Sequence, residues 1–90
     1  MKSYHVEYDK AAQKAIDKLD TSVRKRILTY INNNLEGCEN PRWKGKNLVN
    51  HPEGNWRYRV GNYRIIADIQ DDKVIILVVN VDKRNDVYKK

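Results

Sequence analysis

The chain has 90 residues, with 18 lysines and arginines against 12 aspartates and glutamates, which gives a formal net charge of +6. This length suffices for one domain with one core, so we expect a single domain over residues 1–90. The single cysteine, Cys38, excludes an internal disulfide and a metal site built from several cysteines. The positive charge favours a polyanionic partner, either nucleic acid or an acidic protein.

The sequence indicates a cytoplasmic protein. The N-terminal residues contain no apolar run of signal-peptide length, and the longest apolar stretch, residues 74–79, is too short to span a bilayer. We therefore expect a soluble protein that is neither exported by a signal peptide nor held in a membrane.

The first half of the chain predicts one strand and two helices. Alternating residues over 3–7 indicate a short strand that pairs late in the sheet. Asp9 can cap a first helix whose end lies near Asp20, and either Thr21 or Ser22 can cap a second helix that Gly37 ends. The apolar positions at helical spacing are Ala12, Ala15, Ile16 and Leu19 in the first helix, and Val23, Ile27, either Tyr30 or Ile31, and Leu35 in the second.

The second half predicts a long loop and three strands. Residues 37–55 hold three of the four glycines and both prolines, which indicates a loop with little regular structure. Strands follow over 55–60, 63–70 and 73–81, and the last of them is apolar on both faces, as a central strand would be. The predicted fold is α+β in the order β-α-α-β-β-β, with a helical hairpin packed on a mostly antiparallel twisted sheet.

The first predicted hairpin places three arginines on one face. A two-residue turn at 61–62 sets Val60 opposite Tyr63 and Arg59 opposite Arg64, and directly opposed residues share a face. Trp56, Tyr58, Val60, Tyr63, Ile65, Ala67 and Ile69 then form a core face, while Arg57, Arg59 and Arg64 lie on the other.

The second predicted hairpin brings the C-terminal residues to the same place. With residues 71–72 as the turn, Arg64 lies opposite Val79 and Asn62 opposite Val81. The chain after Val81 then begins beside the turn end of the arginine hairpin. Lys83, Arg84 and Tyr88 can therefore reach Arg59 and Arg64.

This clustering favours an anion site over a solvated charged surface. Like charges that face each other across a sheet destabilise it by up to about 1 kcal/mol, so three arginines on one face need a reason. Lys44 and Lys46 of the preceding loop, with Arg42, add further charge. Between them, Trp43 can either stack on a base or anchor the loop to the core.

The helical hairpin, the stretch WRYRVGNYRI and the terminal KRNDVY together resemble the RelE/ParE toxin superfamily of type II toxin–antitoxin systems, most of all its RelE-like branch. The resemblance covers essentially the whole chain. It implies a ribosome-dependent, metal-independent endoribonuclease that needs no cofactor and cuts mRNA in the ribosomal A site. It also implies a cognate antitoxin as partner, and operator DNA as a partner of the toxin–antitoxin complex.

The resemblance also implies a set of site residues. Those at positions matching the catalytic pattern are Arg57, Arg59, Arg64, Arg84 and Tyr88, and Arg42, Lys44, Lys46 and Lys83 are expected to contact RNA or the ribosome. The best-studied pattern has lysines where this chain has Arg57 and Arg59, and many members have a histidine in place of Lys83. Because arginine is effectively always protonated, the general base is left open between Tyr88, Lys83 and a group of the ribosome.

Two other functions are considered. ParE-like members of the superfamily inhibit DNA gyrase and do not cut RNA, but they generally lack the paired basic strand and the terminal basic residues seen here. The second alternative is a non-catalytic basic module that binds nucleic acid.

Overall fold

The computed structural model describes residues 3–49 and 54–83. Its elements are β1 (His5–Tyr8), α1 (Lys10–Asp17), α2 (Thr21–Asn34), β2 (Lys46–Asn47), β3 (Trp56–Val60), β4 (Tyr63–Gln70) and β5 (Ile75–Lys83). The strands form one sheet in the order β1-β5-β4-β3-β2, in which β1 runs parallel to β5 and the other neighbours are antiparallel. The predicted α+β fold, the late pairing of the first strand and the central place of the last strand are confirmed.

One strand was not predicted. The two residues of β2 lie in the segment that was expected to have little regular structure, and they pair with Arg57 and Trp56 of β3. A two-residue strand is too short to show any alternation of apolar and polar side chains.

Aspartates cap both helices. Asp9 caps α1 as predicted, since its carboxylate accepts a hydrogen bond from the Ala12 backbone N–H at 2.9 Å. The cap of α2 was predicted wrongly. It is Asp20, whose carboxylate accepts from the backbone N–H of Ser22 at 3.3 Å and from its hydroxyl at 2.7 Å. Thr21 and Ser22 lie in the first turn of the helix instead.

Both helices pack their apolar faces on the sheet. Ala12 and Ile16 of α1 and Ile27 and Ile31 of α2 are almost fully buried in one cluster with the inward-facing strand residues. The strand members of this cluster are Val6, Tyr58, Ile65, Ala67, Ile69, Ile76, Val78 and Val81. Across residues 3–49 and 54–83, no helix has the length and apolar character that crossing a membrane requires.

The register of the first hairpin is as predicted. Val60 pairs with Tyr63, Arg59 with Arg64 and Tyr58 with Ile65 across β3 and β4. Gly61 occupies the turn with a φ of 59°, a left-handed conformation that glycine adopts without strain.

The predicted register of the second hairpin is wrong. Its turn takes four residues, 71–74, rather than two, and a bulge shifts the pairing once more at Ile66 and Ala67. Arg64 therefore lies opposite Asp82, three positions beyond the expected Val79, and the pairing ends with Tyr63 opposite Lys83 rather than with Asn62 opposite Val81.

Glu36 ties the chain after α2 to the edge of β1. Its carboxylate accepts hydrogen bonds from the Val6 backbone N–H at 2.9 Å and from the Nδ1–H of His5 at 3.0 Å. The hydrogen bond to Glu36 raises the pKa of His5 above its usual 6.5. The bonds from Val6 and from His5 lower the pKa of Glu36 below its usual 4.5.

These two shifts predict a pH window for the His5–Glu36 pair. Because the folded-state pKa of His5 is raised, its contribution is complete below the unfolded pKa of 6.5 and is lost as pH rises through the raised value. The contribution of Glu36 is lost as pH falls through its lowered pKa. We expect the melting temperature of the wild type to exceed that of His5→Gln by a small amount near pH 5.5, because the pair is exposed.

The difference in melting temperature between the wild type and His5→Gln should shrink by about pH 9, where both the histidine and the glutamine side chain are neutral. An equal difference at both pH values, measured by circular dichroism melts, would show that the imidazolium charge contributes nothing.

Candidate functional site: a basic surface on strands β3 and β4

The register places one acidic and two basic residues in a row across three strands. Arg59 of β3 faces Arg64 of β4, which in turn faces Asp82 of β5. Arg64 donates from Nε and from Nη2 to the two oxygens of Asp82, both at 3.0 Å. This hydrogen-bonded pair raises the pKa of Arg64. The negative charge of Asp82 thus compensates the repulsion between Arg59 and Arg64. This explains how the two arginines can face each other on one sheet.

The ion pair leaves donors of Arg64 available. A guanidinium has five N–H groups, and the contact with Asp82 uses the side of the fork formed by Nε and Nη2. The end of the fork, formed by Nη1 and the second hydrogen of Nη2, can still donate to a phosphate. Both side chains are about one-third exposed, so an anion from solvent can reach them.

Asp82 also gives a testable prediction, because sequence analysis did not identify it as a site residue. Asp82→Asn removes one negative charge beside Arg64 and weakens the contact that fixes its orientation. We expect single-stranded RNA to bind the variant more tightly at low salt, by a factor of about 2–5, since an exposed charge pair is worth about 0.2–1 kcal/mol. A filter-binding titration at two salt concentrations measures this, and weaker binding by the variant would contradict it.

A small basic cavity lies beside the row, at the edge of β3. It has a volume of about 250 Å³ and is lined by Tyr30, Gly45, Lys46, Arg57 and Arg59. The short strand β2 places Lys46 directly opposite Arg57. Gly45 permits this approach because its φ is 81° and a Cβ there would collide with the carbonyl oxygen of Arg57. Of the residues predicted for the site, three line this cavity, and Arg64 lies on the next strand.

A larger cavity adjoins it along α2. This cavity has a volume of about 470 Å³, and Tyr30 forms part of its wall as well. The other lining residues are Ser22, Lys25, Arg26, Thr29 and Val60. Sequence analysis assigned none of these residues to the site, because helical spacing says only which face of α2 is buried and strand alternation placed Val60 on the core face. That analysis left the inward position open between Tyr30 and Ile31, and the structure buries Ile31 fully while Tyr30 lies at the margin of the core.

Side-chain contacts with Tyr58, Trp56 and Asp71 hold the loop before β3. The hydroxyl of Tyr58 donates to the Pro41 carbonyl and the indole of Trp56 to the Lys44 carbonyl, both at 2.7 Å. Arg42 donates through both Nη atoms to Asp71 at 3.0 Å and lies over the Trp56 ring. These contacts fix the position from which the chain enters β2 and delivers Lys46 to the cavity.

The remaining predicted residues lie outside the cavity or outside the described residues. Arg42 is engaged by Asp71, and its pKa is raised by that hydrogen-bonded contact. Lys44 is exposed in the loop, and Lys83 is the exposed last residue of β5. Trp43 is 72% exposed, so the alternative in which it anchors the loop to the core is wrong, and Trp56 makes the anchoring contact. Arg84 and Tyr88 fall outside the described residues.

The arrangement suits binding of phosphates and stabilisation of their charge. Lys46, Arg57 and Arg59 surround one cavity, and Arg64 presents part of its fork nearby. Planar guanidinium groups match phosphate oxygens in pairs, and they remain charged at every physiological pH. They therefore stabilise negative charge that develops on a phosphate, but they do not take up its protons.

Comparison with known proteins places this geometry in context. The model of a family described as the ParE toxin of the type II toxin–antitoxin system parDE matches residues 6–88. The mRNA interferase toxin RelE of Escherichia coli (strain K12) is 29% identical over 89 residues, covering 96% of this chain and 90% of that protein. Toxin RelG of Mycobacterium tuberculosis is 25% identical over 87 residues, covering 97% and 98%.

Solved structures agree with these sequence matches. The toxin–antitoxin complex RelBE2 from Mycobacterium tuberculosis contains a chain with a TM-score of 0.81 and 26% identity, covering 96% of this chain and 97% of that one. The isolated RelE toxin of E. coli has a TM-score of 0.73 and 28% identity, covering 96% and 92%. The helical hairpin on a five-stranded mixed sheet is thus the fold of RelE structures.

Proposed function

We propose that this chain, which belongs to the ParE toxin family of type II toxin–antitoxin systems, is a toxin that cuts mRNA in the ribosomal A site. It acts in the cytoplasm as a ribosome-dependent endoribonuclease that uses no metal or other cofactor, and it blocks translation. The observation that carries this proposal is the basic cavity formed by Lys46, Arg57 and Arg59 beside Arg64. The relative named as an mRNA interferase supports it.

The proposed reaction is a transfer within the RNA chain. The ribose 2′-oxygen attacks the adjacent phosphorus while the bond to the 5′-oxygen of the next nucleotide breaks, which leaves a 2′,3′-cyclic phosphate and a 5′-hydroxyl. The 2′-hydroxyl loses a proton to a general base, and the departing 5′-oxygen gains one. Arg57, Arg59 and Arg64 stabilise the charge on the pentavalent phosphorus, which is the requirement that fixed cations meet best.

The other residues of the proposed site have supporting roles. Arg84 adds charge at the phosphate, and Tyr88 is the candidate for proton transfer, with Lys83 or a ribosomal group as alternatives. Arg42, Lys44, Lys46 and Lys83 contact the RNA or the ribosome. Because such contacts release counterions from RNA, we expect the activity to fall steeply with salt.

The proposed partner is an acidic or amphipathic antitoxin segment that covers the basic face. Structures similar to this chain include complexes of RelE with RelB from E. coli and from Pyrococcus horikoshii. We propose that operator DNA is bound by the toxin–antitoxin complex and not by the toxin alone.

Primer extension on an mRNA in a translating extract tests this function. We expect new 5′ ends within codons at the A site when the protein is added, and none on the same RNA without ribosomes. A double variant, Arg57→Gln with Arg59→Gln, should abolish these ends while leaving the circular dichroism spectrum unchanged. Intact mRNA in an extract whose translation has nevertheless stopped would overturn the nuclease proposal.

Gyrase inhibition is the second candidate function, because the matching family model is named for ParE. In that case the protein would block supercoiling of relaxed plasmid by purified gyrase and would leave mRNA intact. A protein that does neither, yet binds RNA, would be a non-catalytic module.

A further inference from the structure

Tyr30 is shared by the two cavities beside β3. It lines the small basic cavity at the strand edge and also the larger cavity along α2. Every charged residue that lines either cavity is basic, namely Lys25, Arg26, Lys46, Arg57 and Arg59. An aromatic ring is therefore placed at the centre of a surface that attracts anions from both sides.

The core holds the Tyr30 ring in a fixed position. Its centroid lies 6.4 Å from that of Tyr58, with the ring planes tilted by 52°. Tyr58 itself is fully buried, and its hydroxyl is bound to the Pro41 carbonyl at 2.7 Å. Because Tyr30 packs on this buried, hydrogen-bonded neighbour, we expect it to lose little conformational freedom when a flat ligand contacts its remaining surface.

We propose that the small cavity is a subsite for one nucleotide of single-stranded RNA, in which the base stacks on Tyr30. Lys46, Arg57 and Arg59 hold the phosphates on either side of that nucleotide. The inference rests on the proposed ribonuclease function, and it identifies a residue that reads an unpaired base rather than the phosphate backbone. Sequence-tolerant recognition of single strands combines these two elements, a basic groove and an aromatic platform.

The composition of the small cavity favours RNA over a peptide there. Three cationic side chains surround one aromatic ring within about 250 Å³, which matches the alternation of charged phosphate and flat base in a nucleotide. The larger cavity, by contrast, contains Val60 and the stems of Lys25 and Arg26. An acidic peptide with an apolar side chain would fit that cavity. The test below therefore compares binding of RNA with binding of such a peptide.

Binding of a labelled hexanucleotide to the full chain tests the subsite, with the strand made in two forms, one complete and one with an abasic ribose at every position. Tyr30→Leu removes the ring, and Tyr30→Phe keeps it. We expect Tyr30→Leu to bind the complete strand about tenfold more weakly than the wild type does, because stacking of one base on an aromatic side chain is of this order. Tyr30→Phe should bind like the wild type, and the abasic strand should bind all three proteins alike.

The dependence of binding on salt separates stacking from charge. The slope of log Kd against log salt should be the same for Tyr30→Leu as for the wild type, whereas Arg59→Gln should lower it by about one phosphate contact. Equal binding of the complete strand by Tyr30→Leu and the wild type would overturn the subsite. So would an equal loss on complete and abasic strands, or a loss of binding seen only when an acidic peptide with an apolar side chain replaces the RNA in the same titration.

The subsite and the proposed function can fail separately. Tight, base-dependent binding through Tyr30 in a protein that leaves ribosome-bound mRNA intact would refute the nuclease function and support the nucleotide subsite. Cleavage that proceeds at the wild-type rate in Tyr30→Leu at subsaturating ribosome concentration would refute the subsite alone.

Discussion

We expect Arg64→Gln to lower the single-turnover rate of the proposed mRNA cleavage on the ribosome by a factor of about 10²–10³, the usual cost of losing one preorganised donor at a developing oxyanion. The side chain is fixed by Asp82 with both contacts at 3.0 Å and keeps the end of its fork for a phosphate. Glutamine preserves polarity and approximate size but supplies neither the charge nor the paired donors.

A matched variant separates this effect from loss of net charge. Lys14→Gln removes one positive charge from α1, outside the residues that line either cavity. We expect this variant to cleave at nearly the wild-type rate. If the two variants lost activity equally, or if Arg64→Gln cleaved within about threefold of the wild type, the arginine row would not be part of the reaction site.

Tyr58→Ala lowers the free energy of unfolding by about 3–5 kcal/mol, as expected when a large aromatic side chain is deleted from a core. Tyr58 is fully buried beneath Tyr30, between Arg57 and Arg59 along β3. Its loss leaves a cavity and also leaves the Pro41 carbonyl without the hydroxyl that it accepts from. Since a small domain has about 5–15 kcal/mol of total stability, this variant should be close to unfolding.

Tyr58→Phe serves as the control for the hydroxyl. It keeps the ring and removes only the hydrogen bond to Pro41, so the expected loss is about 1–2 kcal/mol. Urea unfolding followed by circular dichroism measures both variants. A loss below about 1 kcal/mol for Tyr58→Ala would show that the loop and the edge of β3 do not depend on this side chain.

The sequence predicts the β3–β4 hairpin correctly because its turn is local. Gly61 and Asn62 favour a two-residue turn, and that turn alone fixes which residues of the two strands face each other. The turn therefore assigns the three hairpin arginines to one face of the sheet. It also predicts that Arg59 lies opposite Arg64, as the structure shows.

The partner of Arg64 could not be predicted, since it depends on two departures from regular pairing. Val74 takes a left-handed φ of 57° in a four-residue turn, and the bulge at Ile66 and Ala67 adds one more shift. Neither has a signal in β5, because its apolar residues lie on both faces and no alternation of apolar and polar side chains fixes the register. The ion pair with Asp82 is a consequence of these shifts.

Tyr30 was missed for a different reason. Helical spacing identifies the buried stripe of α2, but a residue at the margin of that stripe can pack inward or line a surface cavity. Tyr30 does both. It packs at the margin of the core, and it also lines the cavity beside β3, which the two residues of β2 leave partly open. The position of such a cavity depends on how α2, β2 and β3 pack together, and no local sequence pattern indicates it.

The most direct test of the account uses an mRNA with a single 2′-deoxyribose at the nucleotide before the mapped cut, bound to ribosomes in single-turnover conditions. The proposed mechanism predicts that the unmodified mRNA is cut to give a 5′-hydroxyl end and that the 2′-deoxy substitution abolishes this cut. Cleavage of the substituted mRNA at the same bond, or no cleavage of either mRNA, would contradict it.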